Sequence, residues 1–184
     1  AYLFTGTHGK GKTSTARILA KAVNCTGESV PCGECENCRA IKEGKFVDVL
    51  ELDAASNNKV DDIRASIDLV QYPPSIGKYK VVIIDEVHML TTQAENAFLK
   101  TLEEPPEYVI FILATTDPQK VNATIRSRCM QLNFKRVSEA ELVAGMSRIC
   151  SKNGVEASDD ALETIALKAD GSVRDALTIL EQCM

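Results

Sequence analysis

A glycine-rich segment near the start of the chain has the residue types and spacing of a phosphate-binding loop. Residues 6–13 read Gly-Thr-His-Gly-Lys-Gly-Lys-Thr, a full match to the pattern G-x-x-x-x-G-K-[ST]. Glycines let the backbone curl around phosphates, so that its N–H groups point inward at the positive end of a helix. In such a loop the lysine reaches the outer phosphates of a nucleoside triphosphate, and the final hydroxyl binds Mg²⁺. The predicted nucleotide-binding residues are Gly6, Gly9, Gly11, Lys12 and Thr13.

A second motif places two carboxylates directly after an apolar run. Val81–Ile84 is apolar throughout and is followed by Asp85 and Glu86. A buried parallel strand that ends in a carboxylate delivers that group to the carboxyl edge of the sheet, where α/β proteins bind ligands. We expect Asp85 to hold Mg²⁺ through its water shell, and Glu86 to orient and polarise an attacking water. His88, one of two histidines, fits packing or hydrogen bonding better than catalysis.

Four of the seven cysteines form a cluster with the spacing of metal ligands. Cys25, Cys32, Cys35 and Cys38 follow the pattern C-x₆-C-x₂-C-x₂-C, which suits a structural, tetrahedral Zn²⁺. An Fe–S cluster uses the same ligands and stays open as an alternative, as do reduced surface thiols. The odd total and the tight clustering argue against a disulfide framework and favour a reducing cytoplasm. The other three are expected to pack in apolar surroundings: Cys129, Cys150 and Cys183.

The elements that must position these residues alternate between short apolar runs and helical patterns. Five runs are predicted strands: Tyr2–Thr5, Val47–Asp53, Lys80–Asp85, Val109–Thr115 and Met130–Phe134. The runs Val81–Ile84 and Ile110–Ala114 are apolar on both faces, as expected of strands covered by helices on both sides. The alternation predicts an α/β fold with a five-stranded, mostly parallel sheet flanked by helices.

Helix signals fall between the strands and after the last of them. The predicted helices of the first part are Lys12–Val23, Val60–Val70, Thr92–Leu102 and Asn122–Arg126. Asn57-Asn58-Lys59 fits a loop and helix cap, and Thr92–Glu95 has the pattern of a capping box. After Phe134 only helical signals follow, and the predicted helix starts are Ser138, Ser158 and Ser172.

This change of pattern predicts two domains with a boundary at Lys135–Val137. Residues 1–136 are expected to form a nucleotide-binding α/β domain that carries a zinc-binding insertion at residues 25–38. Residues 137–184 are expected to form a small helical lid. The last helix runs to Met184 and leaves an apolar face in need of partners, so the lid is expected to be truncated.

Composition excludes several classes of protein. A chain of 184 residues that is 45% hydrophobic and 26% charged is neither disordered nor collagen-like. The apolar runs are too short to span a bilayer, and no secretion signal opens the sequence, so no membrane partner is expected. With 21 basic and 26 acidic residues the net charge is −5, so no global positive field attracts nucleic acid.

In their order along the chain, these motifs resemble AAA+ ATPases of the clamp-loader branch. The likeness covers essentially the whole chain. Besides the glycine-rich loop and the cysteine cluster, it rests on Asp53–Ser56, Asp85–His88, Leu102–Pro106, Ala114–Asp117 and Ser127–Cys129. Two positions of the loop, His8 and Lys10, depart from the family pattern while keeping its glycine spacing.

The resemblance implies roles for residues outside the two motifs. Thr116, at the position called sensor 1, would contact the γ-phosphate or the lytic water, with Thr115 as the alternative. Arg128 would be an arginine finger that acts in trans on the ATP site of a neighbouring subunit; an exposed surface arginine is the alternative. Arg174, at the sensor 2 position of the lid, would touch ATP, unless it only pairs with acids in the first turn of its helix.

The resemblance also implies the function, the cofactors and the partners. Such a chain is expected to be an ATPase motor subunit of a bacterial clamp loader within a DNA polymerase holoenzyme in the cytoplasm, with ATP, Mg²⁺ and Zn²⁺ bound. It would form a hetero-pentamer with other clamp-loader subunits, open the sliding clamp and load it onto primer–template DNA. Two alternatives stay open: a nucleotide-blind structural subunit of the same assembly, and another oligomeric AAA+ DNA motor, such as one that drives Holliday-junction branch migration.

Overall fold

The computed structural model describes residues 1–56 and 60–184, with the backbone alone for residues 60–64. The loop and cap predicted at Asn57-Asn58-Lys59 therefore lie outside the described residues. The strands are β1 (Tyr2–Thr5), β2 (Val49–Asp53), β3 (Lys80–Asp85), β4 (Val109–Thr115) and β5 (Met130–Asn133). The helices are α1 (Lys12–Asn24), α2 (Glu36–Lys42), α3 (Val60–Val70), α4 (Thr92–Glu103), α5 (Ala123–Ser127), α6 (Glu139–Lys152), α7 (Asp159–Ala169) and α8 (Val173–Cys183), with a 3₁₀ turn at Val87–Met89.

The five strands form one parallel sheet in the order β2-β3-β4-β1-β5. The predicted α/β fold with a five-stranded parallel sheet is therefore confirmed. Because all strands run the same way, their carboxyl ends share one edge, where Asp53 of β2 pairs in register with Asp85 of β3. Thr5 of β1 pairs with Thr115 of β4 at the same edge. This edge thus holds Asp85 and Thr115, two residues that the sequence analysis considered for the site.

The core of the sheet explains why β3 and β4 carry no polar face. Ile83, Ile84, Ile112 and Leu113 are all buried, because helices cover both sides of these central strands. On one side the ring of Phe98 from α4 meets Phe111 of β4 edge to face, with centroids 5.0 Å apart. Burying such a side chain contributes about 1.5–3 kcal/mol, so this layer fixes the strand register that positions the site.

Two buried charged residues hold the loop that leads into β3. The carboxylate of Asp48, 1% exposed, accepts hydrogen bonds from the backbone N–H groups of residues 75, 76 and 77, each at 2.7 Å. Burial alone would raise the pKa of Asp48, but these three N–H donors outweigh it and lower that pKa. The ammonium of Lys80 donates to the carbonyls of Leu69 and Tyr72 at 2.8 and 2.9 Å, and so caps the last turn of α3.

Two local predictions are wrong and one helix has no sequence signal, each for a physical reason. Strand β2 begins at Val49 rather than Val47, since the side chain of Asp48 binds the loop before β3. The N-cap of α4 is Thr91, whose hydroxyl accepts from the N–H of Ala94, so Thr92 opens no capping box. Helix α2 was not predicted, because it has seven residues and its N-cap is Cys35, outside the usual capping residues.

The chain divides into two compact units, here called the α/β unit (residues 1–5 and 12–133) and the helical unit (residues 6–11 and 134–184). The helical unit has its own core from α6, α7 and α8, which includes Leu142, Met146, Leu162 and Leu180. Its helices begin at serine caps, and Ser138 and Glu141 form the predicted capping box. The domain boundary at Lys135–Val137 stays a prediction. Within the part of the chain that the structure describes, no helix has the length and apolar character needed to cross a bilayer.

Candidate functional site

The predicted magnesium ligands are in direct contact in the α/β unit. The hydroxyl of Thr13, in the first turn of α1, donates to the Oδ2 of Asp85 at 2.5 Å. The two residues lie 72 positions apart in sequence, and β3 and α1 bring them together. Lys12 begins α1 and is 6% exposed, so its ammonium is held within the protein rather than in solvent. A hydroxyl beside a carboxylate at a helix N-terminus is the donor set that suits a magnesium-bound triphosphate.

Glu86 follows Asp85 in an unusual backbone conformation. Its φ of 48° and ψ of 46° lie in the left-handed region, which a residue with a Cβ enters at a cost of about 1–2 kcal/mol. The conformation is held by the Glu86 N–H, which donates to the Oδ1 of Asp85 at 3.0 Å, and by the Met89 N–H, which donates to the Glu86 carbonyl at 2.8 Å. Such local strain is typical of functional positions. With this backbone conformation, Asp85 contacts Thr13 while Glu86 contacts Thr116.

The carboxylate of Glu86 lies against the end of β4. Both the backbone N–H and the hydroxyl of Thr116 donate to Glu86 Oε2, at 3.1 and 2.8 Å. His88 Nδ1 lies 3.2 Å from the same oxygen and 2.9 Å from the hydroxyl oxygen of Thr115. The structure therefore brings Glu86 and Thr116 together, whereas Thr115, fully buried, contacts His88 instead. Sequence reasoning missed these contacts, since they depend on the pairing of β3 with β4.

The glycine-rich loop, residues 6–11, belongs to the helical unit and lies against the start of α8. The carbonyl of Gly9 accepts hydrogen bonds from the N–H groups of Val173 and Arg174, at 3.0 and 3.3 Å. These are first-turn N–H groups, which have no partner inside their own helix. The contact anchors the backbone of Arg174 to the loop, while the Arg174 side chain is exposed.

The glycines of the loop meet different constraints. Gly9 has a φ of 72°, and a Cβ there would lie 1.9 Å from the hydroxyl oxygen of Ser172. Gly11 has a φ of 80°, but a Cβ there would meet nothing within 4 Å. Gly6 approaches the carbonyl of Phe134, which a Cβ would reach at 2.5 Å. The space over Gly11 suits a loop whose backbone approaches a ligand closely, whereas Gly6 and Gly9 are needed for packing in the helical unit.

Arg128, the predicted finger, follows α5 at the surface of the α/β unit. Its guanidinium, with 37% of the side chain exposed, donates to Glu103 at 2.9 Å and to the carbonyl of Thr124 at 3.1 Å. An exposed ion pair of this kind contributes about 0–1 kcal/mol, so little free energy opposes its exchange for another anion.

The cysteine cluster forms a compact set of sulfur atoms. The Sγ atoms of Cys25, Cys32, Cys35 and Cys38 all lie within 4.8 Å of one another. Four sulfurs around a tetrahedral Zn²⁺ with Zn–S bonds of about 2.3 Å are roughly 3.8 Å apart, so the residues fit this ion. Backbone N–H groups donate to three of the sulfurs, including that of Cys35 from the Cys38 N–H at 3.4 Å.

The Cys35 and Cys38 thiols of this cluster have shifted pKa values that bear on metal binding. The backbone N–H groups of Thr26 and Cys38 lower the pKa of Cys35 to about 5, and burial raises that of Cys38. A thiolate is the form that binds metal, so Cys35 is prepared for an ion, while Cys38 gains its charge only with one.

Two family models match the chain in consecutive parts. Residues 1–138 match the model described as DNA polymerase III, delta subunit, and residues 141–184 match the one described as DNA polymerase III clamp loader subunit, ATPase lid domain. The helical unit thus contains the segment that the second model describes as a lid.

Whole-chain comparisons agree with these matches. The chain is 52% identical to DNA polymerase III subunit tau/gamma of Haemophilus influenzae over 100% of its own length and 27% of that protein. It is 53% identical to DNA polymerase III subunit tau of Bacillus subtilis, over 100% of its length and 33% of the relative. The chain therefore spans about a third or less of the length of these curated relatives.

Among solved structures, RuvB of Thermotoga maritima, described as a Holliday junction branch migration motor, has the same fold. The TM-score is 0.69 with 23% identity, over 98% of this chain and 52% of that protein. At this identity the likeness shows the fold alone, and it confirms the predicted AAA+ fold with its P-loop α/β part.

Proposed function

We propose, since the chain belongs to the family of DNA polymerase III tau/gamma subunits, that it is the ATP-hydrolysing part of a clamp-loader motor subunit. The observation that carries the proposal is the hydrogen bond from Thr13 to Asp85, directly beside the lysine of a complete phosphate-binding motif. A magnesium ion held there would neutralise charge on the outer phosphates as the bond to the γ-phosphoryl group breaks.

Each protein group has a defined task in this reaction. The N–H groups of the loop and Lys12 hold the phosphates, and Thr13 and Asp85 hold the ion. Glu86 takes a proton from water while the water oxygen bonds to the γ-phosphorus, and the bond to the bridging oxygen breaks with its electrons going to ADP. Thr116 contacts the γ-phosphate or the water. Arg174, in the first turn of α8, is proposed to contact ATP.

Arg128 is proposed to act in trans, on the nucleotide of a neighbouring subunit. Its exposure and its weak pairing with Glu103 support this role, because the guanidinium can leave that carboxylate at little cost. In its new position it would stabilise charge on the transferring phosphoryl group, which can contribute a factor of about 10³–10⁵ in rate. Full activity is then a property of the assembly.

The four cysteines are proposed to hold a structural zinc ion that fixes the insertion after α1. The four close sulfurs and the N–H groups that donate to them support this assignment. Other clamp-loader subunits, the sliding clamp and primer–template DNA are the proposed partners, the last two reached through a hetero-pentamer. Seven free cysteines support the cytoplasm as the compartment.

The main alternative is a nucleotide-blind structural subunit of the same assembly. Residues 1–138 match a family model described as a delta subunit, and this description is compatible with the alternative. Against it stand Lys12, Thr13, Asp85 and Glu86, all present, with Thr13 and Asp85 in contact. A Holliday-junction motor is disfavoured, since the tau/gamma relatives are 52–53% identical and RuvB 23%.

Nucleotide binding by the full-length subunit separates these readings. Lys12→Ala should abolish ATP binding measured by equilibrium dialysis, because the outer phosphates lose their cation. Lys21→Ala, which removes a lysine from the last turn of the same helix, is the matched control and should bind as the unmodified subunit does. Unchanged affinity in Lys12→Ala would refute the assignment of the loop.

A mixing experiment tests the finger. Arg128→Ala subunits should still bind ATP, yet fail to stimulate hydrolysis in neighbours whose own sites are intact. Arg148→Ala, which removes an arginine that donates to the carbonyl of Ala144 in its own helix, is the control. Full stimulation by Arg128→Ala subunits would exclude the role in trans.

A further inference from the structure

One oxygen of the Glu86 carboxylate, Oε2, lies within reach of three hydrogen-bond donors. Thr116 supplies its N–H at 3.1 Å and its hydroxyl at 2.8 Å, and His88 Nδ1 lies 3.2 Å away. A carboxylate oxygen offers about two lone-pair sites, so three donors saturate Oε2. An oxygen in this state has no lone pair left for the proton of a water molecule.

The three donors are not equally fixed. Thr116 is the first residue after β4 and is partly exposed, so its side chain can turn to another acceptor. His88 lies in the 3₁₀ turn with 11% of its side chain exposed. Its Nδ1 also lies 2.9 Å from the hydroxyl oxygen of Thr115, which is fully buried in β4 and accepts from the Asp117 N–H at 3.1 Å.

The two contacts of Nδ1 bear on which ring nitrogen of His88 carries the proton. An unprotonated Nδ1 would place its lone pair 3.2 Å from a carboxylate oxygen, which is unfavourable. A protonated Nδ1 donates to both oxygens at once, and both the Glu86 carboxylate and the Thr115 hydroxyl can accept. The form of His88 with its proton on Nδ1 therefore satisfies both contacts.

We infer that His88, anchored by Thr115, is the positioning residue that sets the direction of the Glu86 carboxylate. The inference rests on the proposed role of Glu86 as the base. The Glu86 backbone is pinned by bonds to Asp85 and Met89, so only its side chain can change direction. When the Thr116 hydroxyl turns to the γ-phosphate, Oε2 loses one of its three donors, and the Thr116 N–H and His88 remain to keep the carboxylate in place.

Steady-state ATP hydrolysis by the full-length subunit, assembled with its partner subunits, clamp and primed DNA, tests this role. His88→Ala should lower kcat about tenfold to a hundredfold, since a misplaced base loses this much. KM and the affinity for ATP should stay within about twofold, because no phosphate contact is lost. His88→Asn should restore most of kcat, as its amide nitrogen can occupy the place of Nδ1.

Thr115 supplies a second, independent pair of variants. Thr115→Val removes the hydroxyl that anchors His88 and should lower kcat without changing KM, whereas Thr115→Ser should retain kcat. Thr164→Val, which removes a helix hydroxyl bonded to the carbonyl of Asp160 in the helical unit, is the matched control. Nitrogen-15 NMR of the unmodified subunit should find the proton of His88 on Nδ1 at neutral pH.

Glu86→Gln, measured in parallel, separates this inference from the proposed function. If Glu86→Gln binds ATP and does not hydrolyse it while His88→Ala keeps full kcat, the inference is wrong and the proposed function stands. If Glu86→Gln hydrolyses ATP normally, both are wrong. Equal losses in His88→Ala and His88→Asn, or a loss confined to KM, would also overturn the inference. Should His88→Ala fail to fold, the Thr115 pair decides.

Discussion

Replacing Gly9 by alanine tests whether the loop and the start of α8 form one packed structure in the helical unit. An added Cβ would lie 1.9 Å from the hydroxyl oxygen of Ser172 and 3.3 Å from the Cβ of Arg174. The Ser172 side chain cannot simply turn away, because its oxygen caps α8 through the Asp175 N–H at 3.2 Å. Gly11 is the matched control, since its φ is also positive but its surroundings are open.

The expected magnitudes follow from these two environments. An alanine held in the left-handed backbone conformation lowers the free energy of unfolding by about 1–2 kcal/mol at either position. Overpacking adds about 1–3 kcal/mol at Gly9 alone. We therefore expect Gly9→Ala to lower the free energy of unfolding by about 2–5 kcal/mol, and Gly11→Ala by about 1–2 kcal/mol.

Urea unfolding followed by circular dichroism, without nucleotide, measures both losses. Ser172→Ala in the Gly9→Ala background supplies a double-mutant cycle. Alone, Ser172→Ala should cost about 1 kcal/mol as a lost cap, but it should cost less, or stabilise, where it removes the clash. Equal losses at the two glycines, or additive effects of Gly9→Ala and Ser172→Ala, would refute the packing argument.

Two further predictions concern other parts of the molecule. Asp48→Asn should destabilise the chain by about 1–3 kcal/mol for each N–H group left unpaired, measured by urea unfolding at neutral pH. The pKa of Asp48 is lower in the folded chain, so its contribution to stability is present above the unfolded pKa and is lost as the pH falls through the folded pKa. The free energy of unfolding of Asp48→Asn should therefore depend less on pH in the acid range. An unchanged pH dependence would contradict this. Zinc analysis by atomic emission should find one ion per chain, and Cys38→Ser should lose it. Cys150→Ser, which alters another buried cysteine outside the cluster, is the control and should keep the ion. Zinc retained in Cys38→Ser would exclude the site.

The parts of the fold that the sequence predicts are those set by local pattern. Val81–Ile84 and Ile110–Ala114 identify the central strands, because only strands covered on both faces are apolar throughout. Helix α2 gives no such signal, since it is short and capped by Cys35. The start of β2 at Val49 depends on Asp48 binding a loop 27–29 residues later, which no local pattern contains.

The same distinction applies to the candidate site. The phosphate-binding loop and the acid pair are contiguous motifs, so their chemistry can be read from their spacing. The contact of Glu86 with Thr116 joins residues 30 positions apart and depends on the register of β3 with β4. His88 gives no sequence signal beyond its position, because its role depends on Thr115 of a neighbouring strand.

The central claim is that Thr13 and Asp85 hold the metal ion of a bound nucleoside triphosphate. Electron paramagnetic resonance of Mn²⁺, used in place of Mg²⁺ with a non-hydrolysable ATP analogue and the full-length subunit, measures this directly. We expect tight Mn²⁺ binding only when the analogue is present, weakened about 10- to 100-fold in Asp85→Asn. Nucleotide-dependent Mn²⁺ binding of unchanged affinity in Asp85→Asn would contradict the claim.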